Sequence, residues 1–271
     1  MTVQSIRRWW PTSWRQFWAT LDGRTYHLLM DARPWIGWLA VGAMVITIAL
    51  VFWWVPLEAI QGFPQKIFYI HVPSAWLTYA AFSVVFAASI LHLWQRSLLW
   101  DIFARSAAEI GFLFTTLALA TGMLWGKPIW GTFWTWDARL TTTLILWFIY
   151  GGYLLLRAFA RSDADIARVA AVVGIIGFLD VPIIHMSVLW WRTLHPQPVV
   201  MIMEDPGGGL PASMLITLLI SLGAFSLVFV WLLAQRAWQE RTAENLALLE
   251  ALLDREVEPA PVSRREAGGT A

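Results

Sequence analysis

No cysteine occurs in the 271-residue sequence. That absence excludes a disulfide framework, a CxxC thiol relay, a thiolate metal ligand and a cysteine nucleophile. Charge is scarce too: 14% of residues carry it, against about 25% in a soluble globular chain, too little to cover a water-facing surface. The balance of 19 basic and 18 acidic residues leaves a formal net charge of +1 and no Lys/Arg-rich stripe, so nucleic acid is not an expected partner. No GxxxxGK[ST] sequence is present, so any ATP-driven step has to be supplied by another polypeptide. A cleavable export signal is not expected either. Arg7-Arg8 is followed by Trp9, Trp10 and Pro11, not by a short apolar run ending in small residues.

What is plentiful is apolar surface, with 58% hydrophobic residues and 20 tryptophans. Charge-free runs cover 34–57, 67–95, 110–126, 140–156 and 206–235, and the run 169–191 is interrupted only by Asp180. A helix needs about 20 apolar residues to span a bilayer, with ~17 a workable minimum. Six spans are therefore expected, near 35–56, 73–94, 108–125, 140–157, 168–190 and 212–235. The fold class is all-α, a polytopic membrane protein with six transmembrane helices.

The connections alternate in charge. Residues 1–33, 96–109, 157–168 and 236–271 hold 15 of the 19 basic residues; only Lys66, Lys127, Arg139 and Arg192 lie in the other set. Basic loops stay on the cytoplasmic side, which predicts both termini inside and three outer loops near 57–71, 126–139 and 191–211. Before the first span, Trp10, Trp14, Phe17, Trp18 and Leu21 recur on one helical face. Residues 1–33 are accordingly expected to form a cytoplasmic amphipathic segment lying at the interface. Residues 34–235 form the membrane domain. Residues 236–271 form a cytoplasmic tail, helical over 236–253 and disordered beyond 259.

Topology sorts the five histidines. His27 and His92 read as ordinary interface residues on the inner side. His71 stands at the outer entrance to span two, just before Pro73, and His185 near the outer end of span five, one turn beyond Pro182. A single histidine at a helix end is most often structural, but two at matched depth form a candidate ligand pair, imidazole being the commonest metal ligand. His195 lies in the third outer loop, where Pro196 and Pro198 favour irregular structure. Asp180 is an intramembrane carboxylate, a functional suspect by default; it either orients a histidine or is held by a polar helix contact. Glu109 is expected at the inner interface, and Glu204 and Asp205 in a solvated loop.

The second outer loop, 125–139, reads WGKPIWGTFWTWDAR. Trp125, Trp130, Trp134, Trp136 and Phe133 exceed the one or two aromatics an interface explains. Gly126 and Gly131 permit close backbone approach, and Asp137 precedes Arg139. Indole faces beside a guanidinium suit a flat apolar ligand with a carboxylate edge. Haem is such a ligand, with iron for imidazoles and propionates for arginine. Trp130, Trp134 and Trp136 are the expected porphyrin contacts, and Arg139 the expected propionate partner.

The segments YIHVPSAW (69–76), WGKPIWGTFWTWDARLTT, DVPIIH (180–185) and WWRTLH (190–195) together resemble the haem exporter protein C family of cytochrome c maturation, over about residues 35–235. The tryptophan-rich loop resembles the WWD signature of haem-handling membrane proteins. The resemblance implies haem b held at the outer, periplasmic face of the bacterial cytoplasmic membrane, with His71 and His185 as axial ligands to the iron. It implies delivery to a periplasmic haem chaperone, maturation protein E, in the company of the ABC-type maturation proteins A and B and the small membrane protein D. It implies a haem-binding and delivery protein, not an enzyme. Asp180 departs from the pattern, in which an uncharged residue is expected. The alternatives are a permease carrying haem across the bilayer and a b-type cytochrome carrying electrons. The second would need a further histidine pair near the inner side.

Overall fold

Inside a bilayer no water satisfies backbone N–H and C=O groups, so an apolar chain closes its hydrogen bonds within helices. The computed structural model describes residues 12–159, 164–195 and 210–257, and these are helical apart from short connections. The helices are α1 (Thr12–Ala49), α2 (Phe68–Gln95), α3 (Leu98–Trp130), α4 (Ala138–Phe159), α5 (Ala164–Phe178), α6 (Asp180–Trp190) and α7 (Ala212–Val257). Among the described residues six segments are long and apolar enough to cross a membrane: Tyr26–Trp54, Phe63–Gln95, Leu98–Trp130, Ala138–Phe159, Ala164–Trp190 and Ala212–Glu250. The chain is a six-span helical membrane protein.

Every expected span is present, and most are longer than expected. The amino-terminal stretch is helical from Thr12 and runs through Pro34 into the first span without a break; Trp10 of its indole face lies outside the described residues. At the other end the sixth span and the expected tail helix are one continuous helix. The tail beyond 257 and the loop holding Glu204 and Asp205 also lie outside the described residues.

Local chemistry sets the turns. Helix α2 ends at Arg96, in the left-handed region with φ 58°, and its N–H reaches the His92 carbonyl at 2.8 Å. His92 itself bonds through Nδ1 to the Ser97 carbonyl at 3.0 Å, which closes the α2–α3 turn. Helix α3 ends at Gly131, φ 77°, a backbone state open to glycine without a Cβ penalty. The WGKPIW segment is therefore helical, and the second outer connection shrinks from 126–139 to the seven residues 131–137. Pro182 has no N–H to offer the carbonyl one turn before it, and the fifth span breaks at Leu179, whose N–H turns to the Ile176 carbonyl at 3.0 Å.

The bundle is joined through aromatic stacking and small-residue crossings. Phe82 of α2 and Tyr150 of α4 stack with ring centroids 3.6 Å apart. The Tyr150 hydroxyl donates to the Gly174 carbonyl of α5 at 3.0 Å. A Cβ on Gly177 would stand 2.7 Å from Ile149 Cγ2, so α4 and α5 cross where only glycine fits. At the end opposite His71, buried and half-buried charges are paired. Arg157 Nη2 lies 2.5 Å from Asp101, Arg105 lies 2.9 Å from Glu240, and Arg236 pairs with Glu109 and Glu240. Glu109, expected at an interface, is thus an inter-helix ion-pair partner.

Candidate functional site

His71 stands in the first turns of α2, which begins at Phe68, five residues before Pro73. Pro73 therefore lies inside the helix and leaves the Tyr69 carbonyl without its usual N–H donor. Ser221 of α7 supplies the missing bond, its hydroxyl donating to that carbonyl at 2.5 Å. This contact ties α7 to the turn that carries His71.

The His71 ring is held by one face of α3. Its Nδ1 lies 3.1 Å from Thr121 Oγ1, and the Trp125 indole meets it edge-on, centroids 5.8 Å apart. Gly122 leaves room for it, since a Cβ there would approach His71 Cε1 to 3.0 Å. Trp125 is fixed in turn by donating its Nε1–H to Gln61 Oε1 at 3.0 Å. The Thr121 hydroxyl hydrogen points to the Leu117 carbonyl, 2.6 Å away, so Oγ1 can only accept from the imidazole. His71 thus carries its proton on Nδ1 and presents a lone pair at Nε2, the form in which imidazole ligates a metal.

The imidazole beside His71 is that of His195, with ring centroids 6.4 Å apart and planes inclined by 38°. His185 makes a different ring contact. Its ring lies edge-on to Tyr79, centroids 6.4 Å apart, and the residue is exposed. Tyr79 is eight residues beyond His71, about 12 Å along α2 at 1.5 Å per residue. The break at Leu179 and the short helix α6 carry the chain on to residues 191–195, and it is this segment that returns an imidazole to the level of His71.

The aromatic loop divides. Trp125 lines His71, whereas Trp130 packs on its own helix, with Gly126 leaving 3.0 Å between a notional Cβ and the indole. Trp134 and Trp136 meet edge to face at 5.6 Å. Trp136 is 77% exposed and Phe133 is 52% exposed, a solvent- or lipid-facing aromatic lip. Asp137 caps α4: Oδ1 accepts the Leu140 N–H at 3.0 Å, and Oδ2 accepts the Thr135 hydroxyl at 3.3 Å. Arg139 bridges three segments. It donates to the carbonyls of Ile184 at 3.4 Å and His185 at 3.2 Å, and its Nη1 lies 3.2 Å from His195 Nδ1. Asp180 has one carboxylate oxygen, Oδ2, buried without a hydrogen-bond partner among the described residues.

The family model for heme exporter protein C matches residues 16–249. The chain belongs to the heme exporter protein C family. Within that family it is 44% identical over 215 residues to the protein of Bradyrhizobium diazoefficiens, covering 78% of this chain and 80% of that one. It is 36% identical over 222 residues to the protein of Haemophilus influenzae, covering 81% and 89% respectively. The match takes in all six spans and the whole site of this family member, including the WWRTLH segment that delivers His195. That segment directly follows a span and sits on the side where His71 was expected, which was the available signal for His195. The flanking prolines obscured it.

Proposed function

We propose that this chain binds haem b non-covalently at the outer face of the cytoplasmic membrane and delivers it for c-type cytochrome biogenesis. His71 and His195 are the residues that would hold its iron. The observation that carries this reading is the pair of imidazoles 6.4 Å apart, a separation one metal atom can bridge with bonds of about 2 Å to each ring. The donor set fits an iron porphyrin. His71 offers a lone pair, Trp125, Trp134 and Trp136 offer indole surface, and the Arg139 guanidinium has no carboxylate within ion-pair distance among the described residues. When bound, haem supplies an iron that two imidazoles saturate, closing it to dioxygen while a porphyrin edge stays open to a partner.

The skewed distribution of basic residues supports a periplasmic site and cytoplasmic termini. Family membership supports delivery to the haem chaperone, maturation protein E, in a complex with the ABC-type proteins A and B and the membrane protein D. In this reading the protein binds and delivers, without catalysing a reaction of its own. The second reading keeps His185, the ligand expected from the sequence, whose carbonyl lies on the same Arg139 guanidinium as the His195 ring.

The test is haem content and the visible spectrum of the purified protein with His71→Ala, His195→Ala and His185→Ala. The first two variants should lose the low-spin bis-imidazole spectrum, and His185→Ala should keep it. Retention in His195→Ala with loss in His185→Ala would return the second ligand to His185.

A further inference from the structure

Helices α2 and α5 run antiparallel along one seam. Phe86 stacks on Phe178, ring centroids 4.6 Å apart. One turn further on, a Cβ at Gly174 would stand 3.0 Å from both Ser89 Oγ and Val85 Cγ1. Beyond that glycine the seam opens. His92 and Arg96 from the end of α2, with Ala164 and Arg168 from the start of α5, line a cleft of about 330 Å³. His92 is 21 residues beyond His71, about 31 Å along α2 at 1.5 Å per residue, the thickness of the hydrocarbon core of a bilayer. The cleft therefore lies at the opposite membrane interface, on the side where the basic connections predict the cytoplasm.

Its lining is cationic. Arg96 is exposed and has no carboxylate within ion-pair distance among the described residues. Arg168 meets Asp165 at 2.7 Å, with both side chains exposed. Such a surface pair is worth little, and a guanidinium has five N–H donors to offer. The His92 ring is fixed through its Nδ1 bond to the Ser97 carbonyl at 3.0 Å. Arg96 is also the one non-glycine residue in the left-handed region among the described residues, with φ 58°. Glycine is the usual residue at this place after a helix, because a Cβ there is strained. The arginine gives up that backbone ease and sets a guanidinium beside the cleft.

The flanks are apolar. Ile90 and Trp94 of α2 and Val169 and Val172 of α5 are exposed, a surface for acyl chains with an indole at headgroup depth. A free phosphate gains nothing from such flanks. We infer that the cleft binds the phosphate of an anionic phospholipid of the cytoplasmic leaflet, held between Arg96 and Arg168, its acyl chains lying along α2 and α5. Basic pockets between transmembrane helices on the cytoplasmic side take headgroups of this kind. The lipid bridges the two helices across the opened seam. It shares no residue with the haem site, so the two readings fail separately.

The experiment is native mass spectrometry of the full-length protein in detergent, with dioleoylphosphatidylglycerol or dioleoylphosphatidylcholine added. Wild type should bind phosphatidylglycerol more tightly than phosphatidylcholine. At about 1 kcal/mol per basic residue near an anionic lipid, Arg96→Gln and Arg168→Gln should each weaken phosphatidylglycerol binding about five-fold, and the double variant about 25-fold. Phosphatidylcholine binding should not change. Arg241→Gln, which removes an equal charge outside the cleft, should leave both affinities as they are. Arg96→Gly should lose the lipid as Arg96→Gln does, while its thermal midpoint in lipid-free detergent holds or rises, since glycine relieves the left-handed cap. Equal phosphatidylglycerol affinity in wild type and the double variant, or the same loss in Arg241→Gln, overturns the site. A fall in the lipid-free midpoint of Arg96→Gly overturns the part given to Arg96. Displacement of phosphatidylglycerol by millimolar inorganic phosphate overturns the lipid and leaves a site for a free anion.

Discussion

Gly122 has a hydrogen where any other residue would carry a Cβ, and that missing carbon admits the His71 ring against α3. The Thr121 hydroxyl and the Trp125 edge then leave the imidazole little room to rotate. Gly122→Ala, with its Cβ at 3.0 Å from the ring, should reduce haem retained on purification several-fold, and Gly122→Val should nearly abolish it. The thermal midpoint should move far less, because the clash is with one side chain at the end of the bundle. Undiminished haem content in the valine variant would show that His71 does not need this seat. Asp137 gives the converse case. From its place between Trp136 and Arg139 it reads as a haem contact, yet both oxygens serve the start of α4. Asp137→Ala should cost about 1 kcal/mol as a lost N-cap, measured as a lowered unfolding midpoint, while Asp137→Asn keeps both stability and haem. Loss of haem in Asp137→Asn at unchanged stability would assign it a direct role.

Element by element, the sequence reveals which segments become helices but not where the helices stop. The charge-free runs locate all six spans because length and apolarity suffice to define a span. The ends escape that reasoning because they are set by partners distant in sequence. Helix α3 begins ten residues before its expected span because Asp101 and Arg105 find Arg157 and Glu240. Helix α2 continues outward past Pro73 because Ser221, 152 residues from Tyr69, replaces the bond that proline removes. The site shows the same limit. His71 and Arg139 were legible from residue type and topology, and Trp125 from its loop. The pairing of the His71 ring with that of His195 was not, because it depends on how far α6 carries the chain after the break at Leu179, a matter of packing and not of composition.

At the scale of the whole molecule, one end carries imidazoles and indoles, and the other is fastened by buried ion pairs. Arg157 is 3% exposed and its partner Asp101 is 7% exposed, so removing one charge strands the other. Asp101→Ala should lower stability by about 3–5 kcal/mol, seen as a large fall in the thermal midpoint in detergent, whereas Asp101→Leu combined with Arg157→Met should recover most of it. If the double variant were no more stable than the single one, the pair would have a role beyond mutual neutralisation. The absence of cysteine makes an introduced thiol the only one in the chain. On intact cells, a membrane-impermeant maleimide should label Phe133→Cys and spare Leu98→Cys; the reverse pattern would invert the molecule.

The central claim is that one iron lies between His71 and His195. Hyperfine spectroscopy of the ferric protein, purified from cells supplied with 15N-histidine, counts the axial imidazole nitrogens directly. Two are predicted in wild type and in His185→Ala, and one in His71→Ala and in His195→Ala. Two axial imidazole nitrogens persisting in His195→Ala, or one disappearing in His185→Ala, would contradict the account.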